Sequence, residues 1–187
     1  MTSKEEITAL LVDLGQVRIE QHTITFVNYP FEPSIAFNHA TFTAAEMDNI
    51  DPTGYPPTIK VGDELLFLSA TQQDALKKFA ADNNLTTVDR PDLWSWILEP
   101  FLDTEFTDET DERLKIKLAE YGLTEEFVFS LRQTLGPQMI KYNFDTMLWD
   151  WTNLGAFDVL SAMRSKYDKA AYQEFYKNVM RVALVNK

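Results

Sequence analysis

The spacing of apolar residues changes near residue 70 and constrains the fold more than any single motif. Before that point, segments such as 17–26 alternate apolar with polar residues over a few positions. Successive side chains of a strand point to opposite faces, so this pattern predicts short, half-buried strands. Beyond Ser69 the apolar residues recur every three or four positions, which predicts amphipathic helices. Strands followed by a run of helices predict an α+β fold.

The first half predicts a small antiparallel β-sheet flanked by helices. Its clearest strands, 58–61 and 65–68, are joined by a Gly62-Asp63-Glu64 connection typical of a hairpin. Segments 34–37 and 47–50 are weaker strand predictions, and the connections are too short for parallel crossovers.

One predicted helix precedes these strands and ends at Gly15, and another follows residue 71. This element order, within residues 1–84, resembles that of bacterial pleckstrin-homology-like modules, with one strand fewer. The resemblance implies a fold and no particular activity.

The second half predicts five or six helices that form an all-α bundle packed against the sheet. The change in composition divides the chain into predicted subdomains at 1–88 and 89–187. The helix boundaries follow from capping residues, proline and glycine. They are Pro91 at the first position of a helix that Pro100 ends, Thr107 and Gly122 around the next, Thr124 and Gly136-Pro137 around a third, and 168–184 for the last.

All four tryptophans stand in two Trp-x-Trp pairs, Trp94 with Trp96 and Trp149 with Trp151. Two residues on a helix are separated by about 200°, so one narrow face cannot bury both rings of a pair. We expect one ring of each pair in the bundle core and the other against a second layer, with at least three of the four mostly buried.

Composition limits the classes of function. The absence of cysteine excludes disulfides, thiolate catalysis and cysteine-based zinc or iron–sulfur sites. A net charge of −12 disfavours nucleic acids and anionic membranes as partners. The chain has neither an apolar run long enough to span a bilayer nor the basic start of a signal peptide. We therefore expect a cytoplasmic protein that binds a partner protein of basic charge. A homodimer is also compatible with the sequence, because tryptophan rings that the core does not bury could form its interface.

No metal or cofactor signature is present. His22 and His39 have no metal-ligand spacing, and nucleotide-binding and serine-nucleophile motifs are missing. Ten acidic residues lie between Glu99 and Glu126. Several occupy a predicted first turn of a helix, where negative charge is stabilised by about 0.3–1 kcal/mol. We interpret them as caps and solvated surface, and expect no metal and no cofactor.

Three aspartates offer weak candidates for catalysis. Asp145, Asp150 and Asp158 interrupt the mostly apolar segment 142–160. A buried aspartate needs partners, and one in an aromatic pocket can act as a general acid or base. The alternative function is therefore a small hydrolase or lyase that uses these residues in the helical half.

Two proline-framed loops carry the candidate binding residues, Tyr29 and Phe31 in one and Tyr55 in the other. Exposed rings on rigid loops make good contact anchors, although the rings could instead fold back over the sheet edge. With the acidic composition, these loops favour a non-enzymatic binding module, including an inhibitor or immunity-type protein that neutralises a basic partner.

Overall fold

A computed structural model describes residues 12–102, 105–145 and 153–185, with the backbone alone for 143–145. These residues form two compact units that divide between Pro91 and Asp92, close to the predicted boundary after residue 88. We call residues 12–91 the sheet unit and the described residues from 92 onward the helical unit. Strands come first and helices follow, so the predicted α+β fold is confirmed.

The sheet unit contains two antiparallel three-stranded sheets, where the sequence predicted one. Their orders are β1-β2-β3 and β4-β5-β6. The chain turns through a 3₁₀ segment at Ala44–Glu46, after which β4 pairs with β5. The strands are β1 Gln16–Ile19, β2 Thr23–Tyr29, β3 Asn38–Thr43, β4 Asn49–Asp51, β5 Thr58–Val61 and β6 Glu64–Phe67.

The β5–β6 hairpin is confirmed, and Val61 pairs with Glu64 across a turn in which Gly62 has a φ of 57°. Segment 34–37 is not a strand, which corrects the weaker prediction. It forms consecutive turns because Ser34 N donates to Phe31 O and Phe37 N donates to Ser34 O.

The core of the sheet unit lies between its sheets and the first helix, α1 (Gln73–Asp82). Gln72 Nε2 fixes the start of this helix by donating to Val17 O of β1 over 2.9 Å. Both sheets and α1 contribute fully buried side chains, among them Ile24, Phe26, Ile50, Ile59, Leu66 and Leu76.

The helical unit contains, within the described residues, five α-helices. The predicted start at Thr107 is confirmed, because Thr107 Oγ1 accepts from Thr110 N. The last helix lies within the predicted span 168–184, and Asp168 is its N-cap, with Oδ1 accepting from Ala171 N. Gly122 has a φ of 76° after α3, as a helix stop requires. The helices are α2 Leu93–Leu98, α3 Asp108–Ala119, α4 Glu125–Asp145, α5 Ala156–Arg164 and α6 Lys169–Ala183.

Two predicted boundaries are wrong. The helix that begins after Thr124 continues through Pro137. Leu135 and Met139, on either side of this proline, are both fully buried, so tertiary packing outweighs the local stop signal. Pro91 is not the first residue of α2 either, since Asp92 is the N-cap.

The first tryptophan pair divides as expected. Trp94 is 1% exposed, whereas Trp96 is half-buried with its ring 5.8 Å from that of Tyr121. Trp149 and Trp151 lie outside the described residues, so the prediction for the second pair remains untested. The helix predicted before Gly15 also falls mostly outside them. Its predicted end is wrong, however, because residues 12–14 are described and are not helical, and Gly15 leads directly into β1. Among the residues described, no helix combines the length and apolar character needed to cross a bilayer.

Candidate functional site

The three aromatic residues predicted to bind a partner differ in exposure. Tyr29 and Phe31 are 1% and 0% exposed, so the expectation that their rings are surface anchors is wrong. Tyr29 Oη accepts a hydrogen bond from Phe67 N over 3.1 Å, and the Phe31 ring lies 6.2 Å from that of Phe67. The loop folds back because these rings fill the space between the two sheets of the sheet unit.

Tyr55, by contrast, is 59% exposed and stands on an ordered loop. The buried Asp51 carboxylate organises that loop by accepting from Thr53 N, Thr53 Oγ1 and Gly54 N over 2.8–3.1 Å. Its second oxygen accepts from Arg90 N over 2.9 Å. One of the three predicted binding residues is therefore available at the surface.

Of the three catalytic candidates, Asp158 is the one whose side chain the structure describes. Asp150 lies outside the described residues, and Asp145 belongs to α4 through its backbone alone. Asp158 is 6% exposed on α5. Its Oδ2 accepts from Gly155 N over 2.8 Å, and its Oδ1 accepts from Tyr142 Oη over 3.4 Å.

A second carboxylate, Asp92, lies on the other side of Gly155. A Cβ atom added to Gly155 would be 3.1 Å from Asp92 Oδ2. Asp92 Oδ1 accepts from Ser95 N over 3.0 Å and so caps α2, while Asp158 closes the first turn of α5. The two aspartates therefore bring together the N-termini of two helices, whose dipoles stabilise negative charge.

Burial dominates the ionisation of this pair. Burial, together with the nearby charge of Asp92, outweighs the hydrogen bonds from Gly155 and Tyr142 and raises the pKa of Asp158 to about 6. Burial also raises the pKa of Asp92. A carboxyl group that holds a proton near pH 6 has the acidity of a general acid. Both carboxyl groups, however, already accept hydrogen bonds from helix termini, and Asp158 is closed to solvent, so the geometry is that of two structural caps.

A more open site lies between α3 and α4. It is a groove with a cavity volume of about 590 Å³, and most of its accessible surface is apolar. Val128 is buried and Phe129 is 63% exposed. We call it the α3–α4 groove, and its lining residues are Asp111, Lys115, Glu125, Glu126, Val128, Phe129 and Arg132.

Arg132 is held firmly at this groove. Its Nη1 is 2.7 Å from Asp111 Oδ1, and its Nε donates to Ile97 O over 2.9 Å. Its guanidinium carbon lies 5.8 Å from the centre of the Phe106 ring. Burial alone would raise the pKa of Asp111, but hydrogen bonds from Lys115 and Arg132 hold it below its usual value.

The second cation of the groove is shared among three carboxylates. Lys115 Nζ lies 2.9–3.0 Å from oxygens of Asp111, Glu112 and Glu125. Hydrogen bonds to Glu112, Asp111 and Glu125 raise the pKa of Lys115. Asp111, Glu125 and Glu126 line the groove together with two cations, so its lining carries one negative charge in excess, and Glu112 adds a further carboxylate beside Lys115.

The histidines take no part in either site. Both are exposed, and His22 Nδ1 lies 2.7 Å from Asn83 Oδ1. In the part of the chain that the structure describes, no group of three or more histidine or acidic side chains is placed to hold a metal ion.

The sequence contained a signal for the α3–α4 groove that the predictions did not use. Phe127, Val128 and Phe129 are consecutive, so one buried helix face cannot cover all three. The acidic residues nearby were interpreted as caps and solvated surface, and Thr107 with its first turn fits that description. Asp111, Glu112 and Glu125 in addition form the ion-pair network around Lys115.

Comparisons of the chain with protein-family models, with curated proteins and with solved structures give no match. The function is therefore inferred from the groups that the structure brings together.

Proposed function

We propose that this protein is a non-enzymatic binding module that holds a basic segment of a partner protein in the α3–α4 groove. The observation that carries the proposal is an exposed phenylalanine, Phe129, beside a mostly apolar groove with an excess of carboxylates. Apolar contact supplies affinity, and the rim charges favour a partner of opposite sign. A cytoplasmic setting, as predicted from the sequence, agrees with a net charge of −12.

The geometry favours binding over the hydrolase or lyase alternative. Asp158 is shielded from solvent and engaged as a helix cap. Among the described residues, Tyr142 and the start of α5 hold its carboxylate, and a substrate would have to displace these hydrogen bonds. The α3–α4 groove needs no such rearrangement.

Site-specific photo-crosslinking in native cells tests this proposal. Benzoylphenylalanine replaces Phe129 in one variant and Gln173 in a control variant, because Gln173 is exposed on α6. We expect position 129 to crosslink a partner through a peptide rich in lysine or arginine, which mass spectrometry identifies. Position 173 should not give this product.

Charge reversal makes the test specific. Adding Glu125→Lys and Glu126→Lys to the crosslinking variant should abolish the product, because the groove then repels a basic segment. The proposal fails if positions 129 and 173 give the same products, or if the crosslinked peptide is acidic.

A further inference from the structure

Within the helical unit, one arginine of the chain itself, Arg132, contacts both an aromatic ring and a carboxylate. The Arg132 guanidinium carbon lies 5.8 Å from the Phe106 ring centre, and Nη1 lies 2.7 Å from Asp111 Oδ1. A guanidinium group can face an aromatic ring while its N–H groups reach a carboxylate, because it is planar and its charge is delocalised.

A second phenylalanine ring and a second carboxylate lie exposed at the α3–α4 groove. Phe129 is 63% exposed, and Glu126 and Glu125 precede it by three and four residues. Helical residues at these spacings lie on one side of the helix. Glu125 pairs with Lys115, but among the described residues no ion pair to Glu126 is found. Glu126 and Phe129 thus offer an arriving cation a carboxylate and a ring.

We propose that Phe129 and Glu126 bind an arginine side chain of the partner protein. This inference rests on the proposed function and specifies the residue that the groove recognises. Arginine fits better than lysine, because a planar guanidinium can cover the ring and pair with the carboxylate at once, whereas an ammonium group is a point charge. The excess of carboxylates over cations in the groove lining, with Glu112 beside it, favours further basic residues in the partner segment.

Fluorescence anisotropy with the full chain and matched peptides tests the preference. The probe is a labelled amphipathic peptide of leucine, arginine, alanine and glutamine, compared with peptides in which lysine or glutamate replaces each arginine. We expect the arginine peptide to bind roughly two- to fivefold more tightly than the lysine peptide, as a cation–ring contact at an exposed site gives. The glutamate peptide should not bind.

Two exposed phenylalanines of α4 provide a matched pair of variants. Phe129→Leu keeps an apolar side chain but removes the ring, so it should abolish the preference for arginine and leave the affinity for the lysine peptide nearly unchanged. Phe127→Leu should keep the preference, because Phe127 is 42% exposed and lies two residues away, on another side of α4. Glu126→Gln should weaken both basic peptides by roughly two- to fivefold.

The outcomes separate this inference from the proposed function. Equal affinity for the arginine and lysine peptides, or an unchanged preference in Phe129→Leu, overturns the arginine site and leaves a basic partner possible. If neither basic peptide binds and position 129 yields no crosslink, both proposals fail. If Phe129→Leu instead converts a dimer into a monomer in light scattering, the groove holds a second copy of the chain and the arginine site is overturned.

Discussion

The indole Nε1 of Trp94 donates a hydrogen bond to the carbonyl oxygen of Val179 over 3.0 Å, which ties α2 to α6, the first helix of the helical unit to its last. Trp94 is 1% exposed, so water cannot replace this bond when it is lost. A buried acceptor without a donor costs free energy, because it gave up its bond to water on folding.

We therefore predict that Trp94→Phe lowers the free energy of unfolding by about 1–3 kcal/mol. Trp96→Phe should cost less than about 1 kcal/mol, because Trp96 is only half-buried and phenylalanine keeps a ring against Tyr121. Urea denaturation of both variants measures the difference. Equal losses would contradict the role given to the Trp94 hydrogen bond.

Removing a buried loop ring should destabilise the protein far more than removing an exposed one. Phe31→Ala empties a fully buried position and should cost about 3–5 kcal/mol. Tyr55→Ala should change the free energy of unfolding by less than about 1 kcal/mol, because the Tyr55 side chain is largely exposed. Denaturant titration checks both variants, and a severe loss in Tyr55→Ala would show that the ring supports the loop.

Asp158 should make the protein less stable as pH rises from 3.8 to about 6. Its pKa is raised in the folded protein, so the folded state holds the proton more tightly than the unfolded chain does. The resulting stabilisation is fully present below the pKa of the unfolded chain and is lost as pH rises through the pKa of the folded protein. The loss is on the order of 3 kcal/mol in the free energy of unfolding.

Asp158→Asn tests this linkage, because asparagine cannot ionise but can still accept from Gly155 N. We expect a flatter profile of unfolding free energy across that pH range than in the wild type. Asp158→Ala should give an equally flat profile but be less stable than Asp158→Asn at every pH, since alanine also loses the hydrogen bond that caps α5. A wild-type slope retained in Asp158→Asn would assign the pH dependence to other groups.

Pro137 should weaken α4 although the helix continues through it. Proline has no backbone N–H to donate inside a helix, and Pro137 is exposed. We predict that Pro137→Ala raises the free energy of unfolding by about 1 kcal/mol or more. Gln133→Ala, one turn earlier on the same exposed side, should change it by less than about 0.5 kcal/mol. Thermal unfolding compares them, and a loss of stability in Pro137→Ala would mean that the proline ring contributes packing.

Local sequence rules predicted the elements whose ends depend on nearby residues. The Gly62 hairpin, the Thr107 cap, the Gly122 stop and the span of the last helix each rest on bonds or φ angles within a few positions. These features need no knowledge of distant residues, so one sequence suffices.

The errors concern residues whose partners lie far away in the chain. Tyr29 is buried because Phe67, 38 residues later, donates to its hydroxyl group. Helix α4 continues through Pro137 because apolar side chains on both sides of the proline are buried in the core of the helical unit. Asp92 was not singled out, since its relation to Asp158 appears only when α2 and α5 meet. The α3–α4 groove was missed for the same reason: the Asp111 contact with Arg132 spans 21 residues.

The close approach of Asp92 to Gly155 implies that these two positions evolve together. A methyl group at 155 would be 3.1 Å from a carboxylate oxygen of Asp92, so it fits only if residue 92 withdraws or becomes smaller. Divergent descendants of this chain should therefore favour glycine at 155 when aspartate stands at 92, since a larger residue there requires the carboxylate to move by a few tenths of an ångström. A collection of such sequences would reveal the meeting of the two helix N-termini as a correlated pair, 63 positions apart, without any structure.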